Sequence, residues 1–205
     1  MDNLFLHICC GPCAAWPLEF FHTRRPSLKV ELWFHNPNIH PRAEFLRRRD
    51  SLAFLAAHHH LRVDFSSPYR PMEFLAELVR PLRGPAPANG DNDPLFSDLE
   101  PIPPSPATIP APPERCRRCY YLRFKAAAET AASRGHRAFG TTLAFSKRQR
   151  HDLILEEGNR AATEQGLEFY YEDWRPGWQR GHEIAKSLGL YRQNYCGCIY
   201  SEMER

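Results

Sequence analysis

The chain has 205 residues, with 42% hydrophobic and 25% charged side chains and a formal net charge of +3. These are the values of one ordinary globular domain and exclude wholesale disorder, while so mild a charge neither demands nor excludes a nucleic-acid partner. No apolar run approaches the ~20 residues of a membrane span and the N-terminus lacks a signal-peptide layout, so a cytoplasmic address is expected.

Leu4 to Ile8 reads as a buried strand, Ala14 to His22 as a helix and Val30 to Phe34 as a second strand. A helix follows from Arg42 to His58, with Phe45, Leu46, Leu52 and Leu55 on its apolar side. Leu61 to Phe65 alternates as a strand, and Pro71 to Val79 is helical. Between Pro81 and Arg115 lie eleven of the nineteen prolines. Such a stretch cannot sustain a regular hydrogen-bond ladder and reads as an inserted surface loop (81–115) within a single domain spanning 1–205. Beyond it, Tyr120 to Arg134 is an Ala-rich helix stopped by Gly135. Ala138 to Leu143 is a strand, Leu153 to Gln165 a helix, Leu167 to Tyr171 a strand and His182 to Leu188 a last helix. This alternation predicts an α/β fold with a parallel, doubly wound sheet, in which ligands sit beyond the carboxyl ends of the strands.

The seven cysteines are odd in number and tightly clustered, which suits metal or redox chemistry better than a disulfide framework. His7-Ile8-Cys9-Cys10-Gly11-Pro12-Cys13 follows the first strand directly and falls at the expected ligand edge. Cys116-Arg117-Arg118-Cys119 opens a helix, where a two-residue gap puts both sulfurs on one side of the first turn. There the dipole and Arg115, Arg117 and Arg118 are expected to favour thiolate. This pair is compatible with half a zinc site, a redox pair or half an iron-sulfur site; with Cys9 and Cys10 it makes four sulfurs. Cys196-Gly197-Cys198 can close only a small, strained and easily reduced disulfide ring, or else supplies further metal ligands. Asp173, at the end of a strand, is a candidate second-metal ligand or proton donor, or a plain turn cap. The run His58-His59-His60 resembles a metal motif but lies at a helix end, where histidines complement the dipole. Arg47-Arg48-Arg49 suits a solvated helix face as well as phosphate contact, whereas Lys147-Arg148-Gln149-Arg150 sits at the ligand edge, within reach of a nucleic-acid backbone. Aromatic residues crowd the C-terminal third, and one or two near Cys196 could stack an extruded base.

These strings resemble one family. His7 to Cys13, Asn36-Pro37-Asn38-Ile39-His40-Pro41 with Glu44 and Arg48, and Cys116-x-x-Cys119-Tyr120 with Arg123 are similar to the QueH-type epoxyqueuosine reductases. So are Thr141-Thr142-Leu143, Tyr171 to Pro176, and the run Gly189 to Glu202 containing Cys196-Gly197-Cys198. The resemblance covers the chain apart from the proline-rich loop. It departs from the family pattern at Ser146-Lys147-Arg148, where the family commonly carries Ser-Pro-Tyr. It implies the Rossmann-like sheet of the adenine-nucleotide hydrolase-like group. It also implies a cobalamin-independent oxidoreductase that removes the epoxide oxygen of epoxyqueuosine at the wobble position of tRNA, the last step of queuosine biosynthesis. Carried over by position, Cys9, Cys10, Cys116 and Cys119 would bind a [4Fe-4S] cluster, and Cys196 with Cys198 would form the redox-active pair. Cys13 and Asp173 would be candidates for an additional iron or other metal ion, and Asp173 also for proton delivery. The implied partners are tRNA carrying epoxyqueuosine in its anticodon loop and an electron donor that the sequence does not identify.

Two other readings share parts of this pattern. A tRNA-thiolating or nucleotide-activating enzyme on the same sheet would want a Gly-rich phosphate loop after the first strand, where this chain has Cys-Cys-Gly-Pro-Cys. A zinc-stabilised RNA-binding module would use the same thiols without redox chemistry.

Overall fold

The computed structural model describes residues 2–79 and 110–203. Five strands form one all-parallel sheet in the order β3-β2-β1-β4-β5: β1 (Asn3–Ile8), β2 (Lys29–Phe34), β3 (Val63–Asp64), β4 (Ala138–Thr141) and β5 (Glu168–Tyr170). The central β1 carries Leu4, Phe5, Leu6 and Ile8, all fully buried, because a strand covered on both faces needs a continuous apolar run. Helix α1 (Gly11–Arg24) packs against α2 (Arg42–His58) and α6 (Trp178–Ser187). On the opposite face α4 (Glu114–Ser133) packs against α3 (Pro71–Val79) and α5 (His151–Glu164). The α4–α5 contact is close because α4 offers Ala127, Ala128 and Ala131, and α5 offers Gly158, Ala161 and Ala162. A Cβ at Gly158 would lie 2.2 Å from the Phe169 ring on β5.

The predicted α/β class and parallel sheet are those observed. Boundaries differ for identifiable reasons. The strand expected over Leu61 to Phe65 is only Val63–Asp64, since this edge strand pairs with two residues of β2 alone. The strand expected to reach Leu143 stops at Thr141, where the Thr141 hydroxyl accepts from the Leu143 amide and opens a short 3-10 turn, Thr142–Phe145. Gly135 ends α4 in the left-handed conformation (φ 74°), as its position implied. A short helix α7 (Ile199–Met203) follows the last cysteines and was not anticipated. The proline-rich loop expected over 81–115 lies outside the described residues as far as position 109; its last two expected positions, Glu114 and Arg115, already belong to α4. Among the described residues no helix is long and apolar enough to cross a membrane.

The chain begins in the middle of the sheet, runs outward to β3, then returns to β4 on the other side of β1. The crevice where the order reverses therefore opens between the loops after β1 and β4, the position at which doubly wound sheets bind ligands. Cys9 leaves β1 at this point, and its amide donates to the Thr142 hydroxyl across the crevice (3.3 Å).

Candidate active site

Cys9, Cys10 and Cys13 form one buried group. Their sulfurs all lie within 4.8 Å of one another, with Cys9 and Cys10 3.8 Å apart. They converge because α1 starts immediately after Cys10, with Pro12 in its first turn, a position where the missing amide hydrogen costs nothing. Gly11 is required at the same place: a Cβ there would lie 2.6 Å from Ser51 Oγ and 2.7 Å from the Ser51 carbonyl oxygen on α2. The Gln193 side-chain amide donates to Cys10 Sγ (2.9 Å) and Cys13 Sγ (3.6 Å). Hydrogen bonds from Cys10 and Cys13 hold the Cys9 thiol well below its ordinary range, while burial pushes Cys10 up to about 12. Of the three thiols Cys9 is therefore the one most readily ionised.

A second group gathers around a smaller cavity, where Cys116 and Cys119 of α4 face Cys196 and Cys198. Burial pushes the Cys116 thiol up and Cys119 to about 11, opposite to the thiolate expected from the neighbouring arginines. Arg117 pairs with Glu157 (2.7 Å) and Glu156, and Arg118 with Glu114 (3.0 Å); Arg115, stacked over Tyr200, lines the cavity and favours the Cys116 thiolate, but burial outweighs it. Cys196 is exposed and hydrogen-bonded to Ser201 Oγ (3.0 Å). Hydrogen bonding from Cys198, then from Ser201, lowers its thiol to about 5 and correspondingly raises Cys198.

The segment carrying these two cysteines is strapped across the crevice by backbone contacts. The His40 amide donates to the Gly197 carbonyl (2.8 Å), Ile39 and Cys198 form an antiparallel bridge, and Gly197 adopts φ 100°, a region that favours glycine. Arg48, 2% exposed, donates to the carbonyls of Cys196 (3.0 Å) and Tyr195 (3.1 Å), and its Nε donates to buried Glu44 (2.7 Å). The middle residue of the Arg47-Arg48-Arg49 run is therefore a structural tie, while its neighbours face solvent.

Arg123, 3% exposed, is another buried cation at the thiols. It donates to Asn36 Oδ1 (2.6 Å) and lies beside neutral His7, whose burial lowers it to about 3. Among the described residues no carboxylate lies within 4 Å of Arg123, and its buried Nε has no partner. Its field favours the ionised forms of Cys9 and Cys119.

A larger cavity of about 340 Å³ opens beside the first group, with Cys9, Cys13 and Cys196 in its walls and Lys147, Trp178 and Arg192 among its lining residues; among the described residues no aspartate or glutamate lines it. Asp173 lines neither cysteine cavity. Its carboxylate accepts from the Arg175 amide (3.0 Å) and guanidinium (2.8 and 2.6 Å), which holds it at about 2. That is the turn-capping arrangement the sequence left open. Gln193, Thr142 and Ser201, the polar groups that touch the sulfurs, carried no separate signal in the sequence.

Comparison with known proteins agrees with this geometry. The sequence model described as "Epoxyqueuosine reductase QueH" matches residues 4–86 and 107–204, leaving 87–106 between its two matched segments. Proteins named epoxyqueuosine reductase QueH are similar along nearly the whole chain. That of Thermotoga maritima is 31% identical over 100% of this chain and 93% of its own length. That of Dehalococcoides mccartyi is 30% identical over 99% and 94%, and that of Acinetobacter baylyi 29% over 98% and 80%. With both matched segments carrying the two cysteine groups, the chain belongs to the epoxyqueuosine reductase QueH family.

Proposed function

We propose that this protein is an oxidoreductase that removes the epoxide oxygen of epoxyqueuosine at the wobble position of tRNA, giving queuosine. The observation that carries the reading is the position of Cys196. It lines the larger cavity together with Cys9 and Cys13, and the smaller one together with Cys116 and Cys119. A redox-active thiol thus faces both a substrate-sized space and a further set of metal-ligating sulfurs.

The residues fit an iron-sulfur cluster. The buried guanidiniums of Arg48, Arg115 and Arg123 lie at the thiols, and among the described residues Arg123 has neither a carboxylate within 4 Å nor a hydrogen-bond partner for Nε, so the site favours a bound group of net negative charge. Thiolate-ligated clusters are of that kind. Cys9, Cys10, Cys116 and Cys119 would hold a [4Fe-4S] cluster, leaving Cys13 for an additional metal ion, whereas Asp173 is engaged by Arg175. When bound, such a cluster supplies single-electron transfer.

Removing the epoxide oxygen consumes two electrons and two protons and releases water as the carbon–carbon double bond forms. Oxidation of a Cys196 thiolate and a Cys198 thiol to a disulfide releases two electrons and one proton, so this pair supplies both electrons of one turnover and one of its two protons, the other coming from water. Cys196, lowered by its hydrogen bonds, is the thiol ionised at neutral pH, while Cys198 retains its proton. Arg48 orients the pair through the two carbonyls, and Gln193 orients Cys10 and Cys13. An external electron donor must reduce the disulfide after each cycle, and a protein acting on tRNA would work in the cytoplasm.

The test is made in a bacterium lacking its own epoxyqueuosine reductase, with tRNA nucleosides quantified by mass spectrometry. Queuosine should return with the wild-type chain and not with Cys196→Ser. In the purified protein Cys9→Ser should lose cluster absorbance and Cys196→Ser should retain it. Persistence of epoxyqueuosine with soluble, iron-loaded protein refutes the reading; zinc without acid-labile sulfide would favour an RNA-binding zinc module instead.

A further inference from the structure

Besides its thiols, the larger cavity is lined by a second set of groups of different chemistry. Phe145, His182 and Trp178 stack as a column: the His182 ring lies 6.1 Å from Phe145 at 19°, and 3.8 Å from Trp178 at 31°. The column is fixed from within, because His182 Nδ1–H donates to the Trp178 carbonyl (3.0 Å) and Phe145 is buried. It ends at the Trp178 ring, over which lies the Lys147 ammonium, 4.5 Å from the centroid. Lys147 is exposed, has no carboxylate within 4 Å among the described residues, and is thus a cation on a flexible stem covering an aromatic face. Arg192, exposed on the C-terminal strap, likewise has no carboxylate within 4 Å among the described residues. Arg148 ties the mouth together by donating to the Asn194 carbonyl (2.7 Å). With no acidic residue among the described residues of the lining, the cavity presents positive charge beside an aromatic platform.

Resting on the tRNA-directed reading above, we propose that Trp178, Lys147 and Arg192 form a seat for the single-stranded anticodon loop outside the reacting nucleoside. Trp178 stacks a neighbouring base, and Lys147 and Arg192 hold the adjoining phosphates. The contact between Lys147 and Trp178 is solvent-exposed and weak, so a phosphate draws the ammonium away and leaves the indole face to a base. This combination, a stacking platform with cations along the backbone track, is how single-stranded nucleic acid is bound without base-specific hydrogen bonds. An acidic protein partner would satisfy the cations and leave the indole without a planar group to cover it; an RNA loop satisfies both.

The test uses the cluster-loaded protein and a fluorescently labelled anticodon stem-loop bearing the unmodified guanosine at the wobble position, with affinity followed by anisotropy across a salt series. Trp178→Ala should weaken binding roughly 5- to 150-fold, the range of one base–aromatic stack, and Trp178→Phe should recover most of it. Lys147→Gln and Arg192→Gln should each reduce the slope of log affinity against log salt by about 0.7, the value for one phosphate on a single strand. Iron content should be the same in all four variants. If the wild type binds the stem-loop and Trp178→Ala and Arg192→Gln bind it equally well, the seat is elsewhere and the proposal fails alone. If the iron-loaded wild type binds no stem-loop at all, the tRNA-directed reading fails with it.

Discussion

Replacing Arg48 by methionine is the most direct perturbation of the strap that carries Cys196. The change keeps most of the volume of a side chain that is 2% exposed but deletes four interactions: the 2.7 Å bond to Glu44, the bonds to the Tyr195 and Cys196 carbonyls, and the stacking over Tyr195. Glu44 then remains buried at 3% exposure, with only the Tyr191 hydroxyl (2.5 Å) and the more distant Arg47 (3.8 Å) to stabilise its charge. Breaking a buried pair from one side costs about 3–5 kcal/mol, so the folded-to-unfolded ratio should fall by roughly two to nearly four orders of magnitude. Denaturant unfolding of the metal-free protein under reducing, oxygen-free conditions measures it. The diagnostic arm is the double variant. Glu44→Gln alone leaves Arg48 its two carbonyls and should cost about 1.5–3 kcal/mol, the value of a charged hydrogen bond. Arg48→Met with Glu44→Gln should cost clearly less than the sum of the singles, because the stranded carboxylate is gone. Additive single costs, or a loss below about 1 kcal/mol for Arg48→Met, would show that the pair does not hold the strap.

Three further outcomes follow from the same geometry. Alkylation of the metal-free, reduced protein by iodoacetamide should occur first at Cys196. Its rate should rise with pH around 5 and then level, since its lowered thiol is already ionised at neutral pH; mass spectrometry locates the adduct, and Ser201→Ala should move the midpoint upward. Gly11→Ala should cost about 1–3 kcal/mol by overpacking against the Ser51 backbone, and should lower iron bound per chain because the displaced turn carries Cys9, Cys10 and Cys13. His7 and His35 are held neutral at about 3 and about 4 by burial, so the unfolded chain takes up protons that the native state refuses. Stability of the metal-free protein should therefore fall as pH drops below about 6.5, by up to about 1.4 kcal/mol per pH unit for each histidine, and His7→Gln should reduce that slope.

The sheet and its ligand edge were legible because a buried parallel strand and its crossover helix leave strong periodic signals, as in Leu4 to Ile8 and Arg42 to His58. The cysteine groups were legible from spacing. The division among them was not: sequence resemblance pairs Cys9 and Cys10 with Cys116 and Cys119, while the folded chain sets Cys13 beside the first two and Cys196 and Cys198 beside the second two. That grouping depends on where the C-terminal strap crosses the crevice, which no local pattern encodes. Charge runs misled for a related reason. Successive residues on a helix point about 100° apart, so Arg47, Arg48 and Arg49 share a neighbourhood in sequence but only Arg48 enters the core. Likewise Arg117 and Arg118 turn toward glutamates and leave their neighbouring thiols protonated.

The anchoring of the strap bears on how a reactive cysteine pair can cycle without loosening the site. Its ties engage main-chain atoms: the Gly197 carbonyl to His40, Cys198 to Ile39, and the Tyr195 and Cys196 carbonyls to Arg48. Gln193, one step earlier, is held through its own side chain on Cys10 and Cys13. The sulfurs of the pair bond to each other and to Ser201, both within the same segment, and Cys196 is exposed. The sulfurs can therefore change redox state while the backbone that positions them stays fixed. Cys196→Ser should accordingly unfold within about 0.5 kcal/mol of wild type, as expected for an exposed position, while queuosine formation is lost. A large loss of stability in Cys196→Ser would mean that the sulfur itself secures the strap, and the missing turnover could then no longer be assigned to the thiol.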